Sequence, residues 1–98
     1  MALRWTWRAE KNRTNKRDHA LSFETAQHVF DDPLAVSRPD PHPDEDRWQT
    51  IGMVGNVVLF VVHTWPEAGR VTGDATGRII SARKATAHER QAYEEGDF

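Results

Sequence analysis

The chain contains no cysteine. That excludes a disulfide framework, a thiolate zinc site and a thiol nucleophile together. Tyrosine occurs once, so Tyr93 is the only phenol available for chemistry. Long apolar runs are also missing. The longest, Val57 to Val62, has six residues, far short of the roughly 20 that span a bilayer as a helix. The N-terminal stretch is charged and has no apolar signal core, so the reading expects a reduced, cytoplasmic protein that engages no membrane. A basic surplus is lacking as well: the net charge is −2. Taken alone, that total argues against a nucleic-acid binder. At 98 residues the chain is one domain, 1–98, with a single modest core.

The charge that is present is unevenly spread. Residues 1–17 hold six bases (Arg4, Arg8, Lys11, Arg13, Lys16, Arg17) against Glu10. Residues 18–50 hold eight acids against Arg38 and Arg47. Residues 78–90 are basic again, with Arg78, Arg83, Lys84 and Arg90 against Glu89. Two basic islands flank an acidic stretch, and such asymmetry says more about partners than the total does.

The hydrophobic pattern gives an order of elements. Leu3 to Trp7 alternates and reads as a short strand with Leu3, Trp5 and Trp7 on one face. Ala9 to His19 is polar and helix-compatible. Ser22 caps a second helix from Phe23 to about Phe30, which Asp31-Asp32-Pro33 ends. Leu34 to Ser37 reads as a short strand, and residues 38–46 as a proline-rich acidic loop. Arg47 to Val54 and Val57 to Trp65 form a hairpin about Gly55-Asn56. The second of these is apolar on both faces and therefore central. Residues 66–77 read as a long, glycine-containing connection. Arg78 to Lys84 is the next strand. Thr86 and Glu89 match a capping box opening a helix to about Glu95, with a stop near Gly96. The class is α+β: a short N-terminal strand and two helices, then an antiparallel sheet of three to four strands and a C-terminal helix, with the helices on one side of the sheet.

These segments carry a family resemblance. Trp7 is followed by Lys11-Asn12 and Asn15, then by His19-x-Leu-Ser-Phe-Glu-x-Ala, and by Val29-Phe30-x-Asp-Pro-Leu. Later come Glu45-x-Arg-Trp with Ile51-Gly52, the block Arg78 to Thr86, and Glu89-Arg90 with Tyr93-Glu94. In order and spacing the chain resembles the BrnT toxins, small ribonucleases of bacterial type II toxin–antitoxin modules with a RelE-like fold. It departs from their pattern at Ala20, where the family usually has glycine. The resemblance implies metal-independent, cofactor-free RNA cleavage through the substrate 2′-hydroxyl. It also implies a BrnA-like ribbon-helix-helix antitoxin, with operator DNA bound only through that antitoxin, so that the pair represses its own operon.

Such cleavage needs cations for the charge on the phosphorus centre, a base and an acid. Arg83 is the first candidate, since a guanidinium fork suits a phosphate; in a regular strand it shares a face with Ile79 and Ser81. Arg78 and Lys84 are expected on the other face. His63 has a proton-transfer side chain near the end of the apolar strand, and Tyr93 lies on the last helix. Lys11, Arg13, Lys16 and Arg17 can hold an RNA backbone. Trp65, at a strand end, is the tryptophan most exposed for stacking. The acidic loop 40–46 fits no common metal-ligand spacing. An alternative on the same residues is a member without catalysis, acting as an antitoxin-binding co-repressor or an RNA-binding module.

Overall fold

The structure, a computed structural model, describes residues 3–65, 67–68 and 75–98. Among these, the chain runs β1 (Leu3–Thr6), α1 (Ala9–His19), α2 (Phe23–Ala26), a 3-10 turn (Gln27–Asp31), β2 (Val36–Asp40), β3 (Arg47–Val54), β4 (Val57–Thr64), β5 (Glu67–Ala68), β6 (Ala75–Lys84) and α3 (Ala87–Glu95). The α+β class and the order of elements agree with the sequence reading. Most of the expected connection over 66–77 lies outside the described residues.

The sheet order is β1-β6-β4-β3-β2, with β5 also paired to β6. β2, β3, β4 and β6 are antiparallel neighbours, while β1 joins β6 in parallel. β4 is central, as its two apolar faces require. Gly55 takes φ +62° and Asn56 stays in the ordinary region, the pattern of a type II′ turn.

One expectation is corrected here. The helices cover both faces of the sheet, not one. Leu59 and Val61 of β4 pack with Phe23, Ala26 and Val29 beneath α2 and its 3-10 extension. The alternate residues Val58 and Phe60 pack with Ile51 and Ala85, and with Ala92 and Tyr93 of α3. Burying each large apolar side chain contributes about 1.5–3 kcal/mol, and a strand apolar on both faces needs cover on both. That requirement was already present in the sequence of β4.

Three local differences have physical causes. The second helix tightens to 3-10 geometry after Ala26, which lays Val29 on Gly52; a Cβ at Gly52 would lie 3.0 Å from the Val29 carbonyl oxygen. β2 begins and ends later than expected and includes Pro39, which is tolerated because β2 is an edge strand. In β6 the pairing passes from Val62–Ser81 to His63–Ile79 and leaves Ile80 without a partner, a β-bulge.

α1 has almost no apolar face and is held by hydrogen bonds instead. The buried Asn15 amide donates to the carbonyls of Leu21 (2.9 Å) and Ala82 (2.8 Å), and its oxygen accepts from the Ala82 N–H (3.1 Å). Asn15 thus satisfies the β6 edge where β1 has ended. Asn12 accepts from the Phe23 N–H at 2.8 Å and so joins α1 to α2.

Candidate functional site

The sheet brings a basic group together at one end. Arg47, the first residue of β3, pairs with Thr64 of β4. The Arg78 N–H of β6 donates to Oγ1 of the same Thr64 at 2.9 Å. Both arginines therefore flank the end of β4. Arg8 and Lys11 arrive from the N-terminus of α1. With Glu45 and the bulge residues Ile79 and Ile80, they line a cleft of about 270 Å3.

Glu45 organises the cleft. It accepts from Nε of Arg47 at 2.7 Å, and both its oxygens accept from Nη2 of Arg78 at 3.0 Å. The hydrogen bond from Arg47, joined by the Arg78 guanidinium, holds its carboxyl below the ordinary range, against the opposing effect of partial burial. Four cations around one carboxylate leave the cleft positive and fit for an anion, with a base already ionised beside them.

The sequence candidates are distributed as follows. Arg78 and Lys11 share the cleft. Arg83 lies elsewhere: it makes a bidentate pair with Glu89 (2.7 and 3.0 Å), and its guanidinium stacks 4.1 Å from the centroid of the Phe60 ring. The expectation that Arg83 shares a face with Ile79 and opposes Arg78 is corrected by the bulge. Ile79 and Ala82 enter the same core, whereas Arg83 sits on the Phe60 side and Arg78 points away from Ile79, toward that side too. Lys84 is exposed and pairs with Leu59, on the face opposite Arg83.

His63 has no exposed surface. It bonds Oγ1 of Thr50 at 2.6 Å and the Thr64 carbonyl at 2.8 Å, and burial lowers its pKa below 6.5. The Tyr93 hydroxyl donates to Asp32 at 2.6 Å, a bond that pushes its pKa up to about 12. Arg13, Lys16 and Arg17 lie exposed along α1, and Arg17 pairs with Asp18 at 3.0 Å. Trp65 is 52% exposed, as expected, with its ring 5.2 Å from that of Trp48.

The sequence reading did not single out Arg8, Arg47 or Glu45 as site residues. A signal was there in Glu45-x-Arg47, since residues two apart in an extended segment project to the same side. Arg8 carried none beyond its place in the first basic island.

With this geometry in place, comparison with known proteins is informative. Residues 7–89 match the family described as ribonuclease toxin, BrnT, of type II toxin–antitoxin system. The chain belongs to that family. All five charged cleft residues lie inside the matched span, and Tyr93 lies beyond it. Family membership makes RNA the target and an antitoxin the partner. No curated protein matches the chain. Among the described residues, no helix is long and apolar enough to cross a membrane.

Proposed function

We propose that the chain is an endoribonuclease toxin that cleaves RNA without a metal ion, in the cleft of Arg8, Lys11, Glu45, Arg47 and Arg78. The observation that carries this reading is the ionised Glu45 carboxylate set, among the described residues, between four cations. When the RNA phosphate enters, Arg78 and Arg47 turn their forks from Glu45 to its oxygens, and Glu45 is freed to accept a proton. Glu45 takes the proton of the 2′-hydroxyl, and the 2′-oxygen bonds to phosphorus. The bond from phosphorus to the 5′-oxygen then breaks, and Lys11 donates the proton that this oxygen needs. Arginine stays charged throughout and stabilises the phosphorane-like charge. The products are a 2′,3′-cyclic phosphate and a 5′-hydroxyl.

Arg13, Lys16 and Arg17 extend the positive surface along α1 and hold the flanking backbone without reading its sequence. Arg83, His63, Tyr93 and Lys84 belong to the framework in this reading. A BrnA-like ribbon-helix-helix antitoxin neutralises the toxin in the cytoplasm, and the pair represses its operon with the antitoxin on the DNA.

Purified protein incubated with RNA in a metal chelator tests the chemistry. Cleavage should persist and leave cyclic phosphate ends. Glu45→Gln should slow it by about 10²–10⁴-fold, the usual loss of a general base. Cleavage abolished by the chelator, or unchanged in Glu45→Gln, would refute the mechanism.

A further inference from the structure

The bulge in β6 decides which face of the sheet receives Arg78. Val62 pairs with Ser81, and a regular ladder would continue with Ile80 on His63 and Ile79 on Thr64. Arg78 would then lie on the α2 face, away from Arg47. The bulge moves the pairing by one residue, and such a slip turns the following side chains over to the other face. His63 pairs with Ile79 instead, and Arg78 comes to the face of Arg47 and Glu45. The basic cleft therefore depends on what holds the bulge.

Two side chains at the end of β4 hold it. Val54 and Val57 flank the two-residue turn of the hairpin and form a hydrogen-bonded pair. Along the alternating ladder, Arg47 and Thr64 then form a pair of the other kind. The Thr64 backbone groups thus point away from β3, toward β6. In a regular ladder the Thr64 carbonyl would take a β6 N–H. Here it accepts from Nδ1 of His63 at 2.8 Å; a carbonyl can only accept, so that nitrogen carries the hydrogen. His63 is itself fixed, fully buried with Nε2 accepting from Thr50 Oγ1 at 2.6 Å. The Arg78 N–H passes instead to the Thr64 hydroxyl oxygen, at 2.9 Å. Thr64 is half-buried and is not among the described residues that line the cleft. Its effect on a substrate bound there passes through Arg78.

We infer that Thr64 is a positioning residue for RNA cleavage: its hydroxyl seats the Arg78 backbone in the bulge, so that the guanidinium fork enters the cleft at a fixed place. The inference rests on the proposed reading of the basic cleft as the site of cleavage. Without RNA, Arg78 is held at both ends, by Thr64 at its backbone and by Glu45 at Nη2. When a phosphate draws the fork from Glu45, the second hold is given up. The Thr64 contact then remains as the fixed end from which the fork is aimed, and a small error there is carried to the reacting phosphorus.

Thr64→Val removes the acceptor at nearly constant size, and Thr64→Ser keeps it. In Thr64→Val, kcat for RNA cleavage should fall about 10–10²-fold, the loss that a misplacement of about 1 Å brings. KM should change much less, because the fork stabilises the transition state more than bound RNA. Thr64→Ser should retain most of the unaltered kcat. Thr64→Val added to Arg78→Ala should slow cleavage no further, since residues acting as one unit are not additive. A second readout needs neither RNA nor cleavage. In the full chain, the Arg78 amide should exchange its hydrogen faster and the Arg78 Nε–H NMR signal should shift in Thr64→Val, but not in Thr64→Ser. Thr64→Ala gives the same comparison if the valine variant does not fold. An unchanged kcat in Thr64→Val, losses that add in the double variant, or unmoved Arg78 signals would each overturn the inference. So would an equal loss in Thr64→Ser, which would mark the methyl group and not the hydroxyl. If the unaltered protein leaves RNA intact, the cleavage mechanism fails, and the Arg78 signals alone decide whether Thr64 seats that residue.

Discussion

At Ala20 the α1 helix ends in the left-handed conformation, with φ 54° and its N–H on the Lys16 carbonyl at 2.9 Å. A side chain with a Cβ pays about 1 kcal/mol there, which glycine avoids. Ala20→Gly should therefore raise stability by about 0.5–1 kcal/mol, a rise of about 2–6 °C in Tm by calorimetry. His63 makes a second prediction. Burial lowers its folded pKa below 6.5, so the unfolded chain binds the proton more readily. The stabilisation is complete above pH 6.5 and is lost as pH falls toward the folded value. Denaturation in urea should give a lower stability at pH 5.5 than at pH 7.5, by up to about 1 kcal/mol. In His63→Gln that interval should flatten. The sequence displayed these residues but not their partners. His63 could be read as a core histidine or as an acid–base group, and only the contacts with Thr50 and Thr64 separate the two. Glu45 and Arg47 were visible as neighbours, whereas Arg78, more than thirty positions away, joins them only through the pairing of β3, β4 and β6.

At the scale of elements, local rules served well where the chain makes its own structure. The Thr86–Glu89 capping box forms with both hydrogen bonds, and α3 stops at Gly96 with φ 67°. The Gly55 turn sets the β3–β4 hairpin. What local rules missed was set by tertiary packing. A bulge is invisible in a run such as Arg78 to Lys84, where every residue fits a regular strand, yet it reverses which residues share a face. β1 likewise revealed itself as a strand but not its parallel partner, β6. That pairing brings Trp5 flat against Gly77: a Cβ there would lie 2.5 Å from Cζ3 of the Trp5 ring. Since the ring is also stacked on Phe30 with centroids 3.8 Å apart, it has little room to yield. Gly77→Ala should cost about 1–3 kcal/mol, the usual range for overpacking, measured by chemical denaturation.

For the whole molecule, the net charge of −2 conceals its functional distribution. The first basic island contributes Arg8 and Lys11, the second contributes Arg78, and Arg47 comes from the acidic stretch between them. Folding gathers these at one end of the sheet and, among the described residues, leaves Glu45 as the only acid lining their cleft. The other arginine of β6, Arg83, is neutralised by Glu89 and packed on Phe60. In the proposed mechanism the two arginines divide between chemistry and framework, and the division is measurable. The most direct test compares Arg78→Ala with Arg83→Ala, in both kcat/KM for RNA cleavage and Tm. Arg78→Ala should lower kcat/KM by about 10²-fold or more and barely move Tm, because an ion pair this exposed contributes little to stability. Arg83→Ala should lower Tm and leave kcat/KM close to that of the unaltered protein. The reverse result, with cleavage lost in Arg83→Ala and retained in Arg78→Ala, would contradict the account.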